Sequence, residues 1–216
     1  MGLYALVRPL LFRLDPEVAH ELTLNSIALV GRTHPLNQYV ADLWRAALPA
    51  RPVRTMGLIF TNPVGVAAGL DKDARAVDGL AMLGFGFLEL GTVTPLPQSG
   101  NPKPRMFRLT QDSALINRMG FNGAGLGEFL SRLSQASQQS IIGINLGRNA
   151  TTANEEAWRD YLTGLRAVYG VADYVSINIS SPNTQGLRDL QEQKSLDMLR
   201  SEEHTSELQS RPHISY

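Results

Sequence analysis

Apolar positions in the first part of the chain recur at helical spacing. Leu3, Val7, Leu10 and Leu14, with Leu6 and Leu11 beside them, line one face over residues 3–14, while Arg8 and Arg13 fall off its centre. Asp15-Pro16-Glu17 supplies an N-cap, a proline at the first helical position and an acid in the first turn, which predicts a second helix to about Gly31. Together they predict a small helical hairpin within residues 1–50. Leu48-Pro-Ala-Arg-Pro52 has two prolines and no periodicity, and reads as a linker.

After the linker the period changes. Met56 to Phe60 reads as a short strand and Val64 to Gly69 as a buried one made of small residues. Ala74, Val77, Leu80, Ala81 and Leu83 share a helical face that stops at Gly84, and Phe87 to Val93 is the next strand. A helix bearing Leu126, Phe129, Leu130 and Leu133 precedes a strand from Ile141 to Leu146. Thr152 with Glu155 has capping-box spacing, ahead of a helix carrying Trp158, Tyr161, Leu162, Leu165 and Val168; a fourth long strand starts at Tyr174. Strand then helix, with short connections, argues for parallel βαβ units and an α/β fold over residues 51–199. The excursion from Pro95 to Gly123 is unusually long. Its two alternating segments about Gln111-Asp112-Ser113 predict a hairpin, and such insertions often serve as lids.

A doubly wound sheet and a (β/α)8 barrel both fit that alternation. The dinucleotide-binding version of the first needs Gly-x-Gly-x-x-Gly straight after its first strand, and the glycine clusters here sit elsewhere. No P-loop, His-Glu-x-x-His or Gly-x-Ser-x-Gly element is present either. The pattern favours a barrel, of which about four of eight strands are countable.

Composition narrows the chemistry. The 216 residues are 43% hydrophobic and 19% charged with zero formal net charge, which suits one globular core and gives no basic stripe for nucleic acid. Cysteine is absent, which excludes disulfides, thiolate metal sites and a cysteine nucleophile or base. Met1 to Thr55 carries six arginines and no lysine against four acidic residues. An apolar face flanked by arginines suits a membrane surface, and equally a hairpin capping the main domain. No apolar run approaches the ~20 residues of a membrane span, no signal-peptide core opens the chain, and an intracellular protein is expected.

In a barrel, functional groups come from the C-terminal strand ends. Those ends carry Ala68-Gly-Leu-Asp-Lys72, Gly91-Thr92, Asn145 with Gly147, and Asn178-Ile-Ser-Ser-Pro-Asn-Thr184. Carboxamides at Asn117, Asn145, Asn178 and Asn183 suit a flat heterocycle with alternating N–H and C=O groups, and Lys72 suits an anionic edge. Ser181 has no histidine beside it in sequence; by itself the Asn178–Thr184 stretch reads as an Asx/Ser turn satisfying its own backbone.

Six segments in order carry a resemblance: Ala68 to Lys72, Gly91 to Pro95, Lys103 to Arg108, Ile116 to Asn122, Gly143 to Gly147 and Asn178 to Thr184. With Leu11-Phe-Arg-Leu-Asp-Pro-Glu17 ahead of them, the chain to about Leu199 resembles the class 2, quinone-linked dihydroorotate dehydrogenases. The resemblance implies a (β/α)8 barrel that holds FMN, oxidises dihydroorotate to orotate in pyrimidine synthesis and passes electrons to a membrane quinone. It places Ser181 as the base taking a proton from substrate C5 while hydride leaves C6. Class 1 relatives use cysteine there, so the absent cysteines agree with class 2. It assigns Ala68, Gly69, Leu70, Asp71, Lys72, Thr92, Asn145 and Asn178 to the cofactor, with no metal. Lys72, Asn117, Arg118, Met119, Gly120, Phe121, Asn178 and Asn183 fall to the substrate. It makes residues 1–50 a membrane-docking, quinone-tunnel module, peripheral on the cytoplasmic side of a bacterial-type cell membrane.

Two features depart from the family. Four strands are counted where closure needs eight, and Arg200-Ser-Glu-Glu-His-Thr-Ser-Glu-Leu-Gln-Ser210 reads as the translation of a sequencing-adapter oligonucleotide, so residues 200–216 are expected to be a non-native tail. An inactive fragment of that enzyme, or another barrel enzyme acting on a phosphorylated substrate, are the alternatives. The latter needs an essential carboxylate, which the strand ends offer only as Asp71.

Overall fold

The apolar stripes of the N-terminal segment form three helices rather than two. The computed structural model describes residues 3–47, 51–137, 140–192, 196–197 and 214–215. Helix α1 spans Leu3–Leu11, α2 Pro16–Arg32 and α3 Leu36–Ala47. Asp15 caps α2 as expected, its Oδ1 accepting from the backbone N–H of Glu17 at 2.9 Å and of Val18 at 3.2 Å. The unforeseen α3 is amphipathic but buries none of its residues, so its stripe adds nothing to the core. Leu48 to Ala50 of the expected linker lie outside the described residues.

Met56 to Phe60 is not a single strand. Val53–Thr55 (β1) and Leu58–Phe60 (β2) pair antiparallel, because Met56 and Gly57 both take positive φ, 51° and 70°, and reverse the chain between them. The Val64–Gly69 segment is a strand in its hydrogen bonds only. Gly86 N–H donates to Val64 O, Val66 N–H to Phe87 O, Glu89 N–H to Val66 O and Gly69 N–H to Gly91 O, yet regular geometry survives only at the Val66–Leu88 bridge. Side chains as small as those of Ala67 and Ala68 hold no extended register, and Gly69 turns out of it at φ 107°. The helix expected over 74–83 is shortened to α4, Val77–Ala81. The Asp71 carboxylate explains its late start: Oδ1 accepts from Arg75 N–H and Oδ2 from Ala76 N–H, so the segment before α4 is spent on that loop.

The central sheet has the parallel order β3 (Phe87–Val93), β6 (Ile141–Leu146), β7 (Tyr174–Ile177) and β8 (Ile214–Ser215). Three of these strands were expected. Of the expected tail, residues 200–213 and Tyr216 lie outside the described residues, whereas the backbone of Ile214 and Ser215 lies along Val175 and Ser176. The predicted hairpin is present as β4 (Met106–Leu109) and β5 (Ala114–Asn117), turning at the predicted Gln111-Asp112-Ser113. Helix α5 runs Leu126–Leu133 and α6 Ala157–Val168. The Thr152/Glu155 capping box does not form. Arg148 holds the Thr152 carbonyl, Thr152 N–H donates to Asn149 O, and a 3-10 turn over Asn154–Glu156 delays α6 to Ala157 with no side-chain cap.

One face of the sheet is the core. Leu88, Leu90, Ile142, Ile144 and Leu146 are buried against Phe129, Leu133, Leu165 and Val168, each such side chain contributing about 1.5–3 kcal/mol by leaving water. The other face, carrying Glu89 and Asn145, is the barrel interior. The helices dock by backbone rather than side chain: a Cβ on Gly31 of α2 would lie 2.4 Å from Gly79 N, and one on Gly79 of α4 would lie 2.2 Å from Ile27 O. That contact and a buried ion pair seat α2 on the barrel. Arg105 donates through Nη2 to Glu17 Oε1 at 2.6 Å and through Nε to Oε2 at 3.2 Å.

Candidate functional site

A cavity of about 660 Å3 opens between α2, the Gly65–Asp73 segment, the β4–β5 hairpin and the loop after β7, within the size range of small-molecule sites. Of the residues expected to act, Ala68, Gly69, Leu70, Lys72, Thr92, Asn117, Met119, Gly120, Phe121, Asn178, Ser181 and Asn183 all line it. They come from four separated stretches of chain, which only the parallel sheet and its hairpin excursion bring together.

Three expected residues stand outside the lining. Asp71 is fully buried and turned to the amides of Arg75 and Ala76; burial pushes its carboxyl above the usual range, against the pull of those two N–H donors. Arg118 is exposed and donates to Pro104 O from Nε and Nη2, with its guanidinium 5.7 Å from the Phe107 ring centroid, so it braces the hairpin. Asn145, 7% exposed, lies beneath the lining, where its Oδ1 accepts from Thr92 Oγ1 at 2.5 Å and from Asn178 Nδ2 at 3.1 Å.

The polar groups in the wall have defined partners. Lys72 Nζ donates to Asn122 Oδ1 at 2.6 Å. Burial first, then repulsion from Arg105, lowers its pKa to about 8, against the attraction of Glu17 and Asp73. Asn183 Nδ2 donates to Asn117 Oδ1 at 3.3 Å, joining the loop after β7 to the end of β5. Ser181 Oγ accepts from Asn183 N–H at 3.3 Å, so the expected Ser turn is present as well, with its hydroxyl oxygen on the cavity wall. Carbonyls along this loop are held by side chains from elsewhere: Asn178 O by the Tyr161 hydroxyl at 3.0 Å, Asn183 O by Asn101 Nδ2 at 3.1 Å and Gln185 O by Arg148 Nη2 at 2.9 Å. Burial pushes the Tyr161 hydroxyl well above its ordinary pKa, so it stays a donor.

Sequence reasoning missed several residues that shape this site. Asn122, the partner of Lys72, ended a segment already singled out, and a carboxamide next to a glycine-rich turn was its only signal. Glu17, His20 and Glu21 bring α2 into the cavity wall. Their helical spacing predicts a shared face, but not which element that face meets. Among the described residues no cluster of His, Asp or Glu is placed to hold a metal ion.

Comparison with known proteins gives one answer. A family model described as dihydroorotate dehydrogenase matches residues 52–211. A relative from Methylococcus capsulatus, named dihydroorotate dehydrogenase (quinone), is 54% identical over 194 residues, covering 90% of this chain and 56% of that protein. One of the same name from Idiomarina loihiensis is 52% identical over 206 residues, covering 95% and 60%. A crystal structure of the Eimeria tenella DHODH in complex with ferulenol superposes with a TM-score of 0.71 at 39% identity, covering 88% of this chain and 50% of that one. The chain thus spans about half to three-fifths of the length of these relatives.

Proposed function

Because the chain belongs to the dihydroorotate dehydrogenase family, we propose that it oxidises dihydroorotate to orotate with FMN and delivers the electrons to a quinone. The supporting observation is the convergence of Lys72, Asn117, Asn178, Ser181 and Asn183 on one cavity. Their chemistry fits a flavin beside a small planar anion. The backbone of Gly65 to Gly69 forms a wall with little side chain, against which a flat ring can lie, and Lys72 presents a largely desolvated ammonium to an anionic edge. Ala68, Gly69, Leu70, Lys72, Thr92 and Asn178, supported from beneath by Asn145 and Asp71, would hold the cofactor. Bound there, FMN supplies the hydride acceptor.

The chain's own residues perform the rest. Asn117, Asn178 and Asn183 orient the substrate ring, with Met119, Gly120 and Phe121 closing the hairpin side and Lys72 countering the negative charge. Ser181 Oγ takes the proton from C5 as its own hydroxyl proton passes to water, so the residue ends as it began. Burial of the wall and the fixed dipoles of the surrounding carboxamides lower the barrier for a weak base of this kind.

Quinone and membrane enter through the N-terminal helices. Leu6 and Leu10 of α1 and Leu22 and Leu29 of α2 are 52–68% exposed, as is Tyr39 of α3. Among the described residues no helix is long and apolar enough to cross a membrane. The exposed apolar residues of these helices are the surface for peripheral docking, on the cytoplasmic face. Placing two negative charges on it with Leu6→Asp and Leu10→Asp is expected to abolish cosedimentation with vesicles of a bacterial lipid extract.

The test of the activity is a flavin absorbance spectrum with dihydroorotate-dependent reduction of a dye. Ser181→Ala should lose at least ~100-fold in turnover and keep the flavin. Absence of flavin from the purified protein, or full turnover by Ser181→Ala, rejects the assignment.

A further inference from the structure

Beneath the cavity lies a hydrogen-bond chain in which every donor points towards one carboxylate. Asn178 Nδ2 donates to Thr92 Oγ1 at 3.0 Å and to Asn145 Oδ1 at 3.1 Å. Thr92 Oγ1 donates to Asn145 Oδ1 at 2.5 Å, and Asn145 Nδ2 donates to Glu89 Oε1 at 2.8 Å. From the other side the Tyr174 hydroxyl donates to Glu89 Oε2 at 3.0 Å. We propose that Glu89 is a positioning residue: its carboxylate fixes the orientation of the Asn145 carboxamide and, through it, the orientation in which Asn178 meets a ligand.

The reasoning needs only the donor and acceptor inventory. An ionised carboxylate accepts and cannot donate, so the group that Asn145 turns to Glu89 must be its NH2; the inverted amide sets two acceptors 2.8 Å apart. Asn145 then faces Thr92 and Asn178 with its oxygen. One side of the Asn178 NH2 is pinned by the adjacent Asn145 Oδ1 and Thr92 Oγ1, and the Thr92 proton is held on Asn145. Its Oδ1 takes only long bonds, 3.3 Å and 3.4 Å, from Ser180 N–H and Oγ. A carboxamide pinned in this way presents its oxygen and its amide edge to a ligand in one fixed orientation.

The strands are shaped to permit this. Glu89, Gly143 and Tyr174 stand in one row across β3, β6 and β7. Tyr174 crosses the intervening strand to reach Glu89 only because position 143 is bare: a Cβ there would lie 2.1 Å from the tyrosine Cζ and 2.4 Å from its hydroxyl oxygen. Glu89 also helps hold that hydroxyl protonated, since the tyrosine's pKa is driven up by burial first and then by the adjacent negative charge.

The proposal rests on the flavin and dihydroorotate reading only for the identity of the ligand, and two arms keep the two apart. In the unliganded, isotope-labelled chain the Asn145 Nδ2 protons should show nuclear Overhauser contacts to Glu89 Hγ. Contacts to Thr92 with none to Glu89 overturn the proposal. Glu89→Gln offers both an oxygen and an NH2 to Asn145, so the carboxamide resonances of Asn145 and Asn178 should double while the backbone spectrum stays in place. Loaded with FMN, that variant should bind orotate about tenfold more weakly, whereas Tyr174→Phe, which keeps the carboxylate, should stay within about twofold. Unaltered orotate affinity in Glu89→Gln overturns the positioning role even where turnover in the unsubstituted enzyme upholds the function. If the unsubstituted protein binds neither FMN nor orotate, the functional reading fails, and the Overhauser pattern alone upholds or overturns the role of Glu89.

Discussion

Lys72 sits at the balance point between a charged and a neutral amine. Its pKa of about 8 means that an anionic ligand meets a full positive charge at pH 7 and a vanishing one above pH 9. Orotate affinity should therefore fall as pH rises through about 8, and Lys72→Met should flatten that profile. Stability moves the opposite way. Between pH 8 and 10.5 the unfolded chain holds the lysine proton that the folded protein has given up, so unfolding free energy rises with pH across that window. Urea denaturation at pH 7.5 and 9.5 should show the rise in the parent chain and lose it in Lys72→Met. Asp71, its neighbour, acts through two backbone amides rather than through the cavity. Replacing it with alanine strands the N–H groups of Arg75 and Ala76, at a cost of about 2 kcal/mol by denaturant unfolding.

At the scale of elements, the Glu17–Arg105 pair decides whether the helices stay on the barrel. The hydrogen bond from Arg105, followed by the electrostatic pull of that residue and of Lys103, holds the Glu17 carboxyl below its ordinary range despite burial. A depressed carboxylate contributes stability above pH 4.5 that is lost as pH falls through its lower folded value. Arg105→Leu leaves Glu17 with only the exposed Lys103, 3.3 Å from Oε1, and should cost about 2 kcal/mol, with faster hydrogen exchange in α2. None of this was legible from periodicity. The strands β3, β6 and β7 and the helices α2, α5 and α6 were legible, because each carries a continuous apolar run or an apolar stripe with a cap or a stopping glycine. The Val64–Gly69 segment keeps its pairing with β3 but loses regular geometry to its small side chains and the turn at Gly69, and the start of α6 was misread because Arg148 holds the Thr152 carbonyl in place of the expected cap. The resemblance singled out twelve residues that line the cavity, together with Asp71, Arg118 and Asn145, which stand outside the lining. Their common floor at Glu89 was not legible, since an acidic residue inside an apolar strand signals nothing until its partners two strands away are placed.

The whole molecule joins two surfaces of different character around one cavity. Exposed leucines cover the helices, while bare backbone and carboxamides line the barrel side, and the lining of α2 belongs to both. On the proposed function, quinone chemistry at such a junction would require the helical module to stay seated while its outer face meets lipid. The vesicle and denaturation experiments therefore probe one linked property. Arg105→Leu should weaken vesicle binding as well as stability if the helices dock as a unit.

The crossing of α2 over α4 at Gly31 and Gly79 gives this junction a fulcrum. With no side chains between the two backbones, there is nothing to slide on or compress, but a rigid helix can still rock about the contact point. Glu17 lies fourteen residues away along α2, about 21 Å at the rise of an α-helix. A tilt of about 5° therefore swings the cavity-lining end of α2 by about 2 Å, roughly the difference between a made and a broken hydrogen bond to Arg105. A force on the exposed leucines of α2 would thereby be geared, through a lever of fixed length, to the width of the cavity mouth.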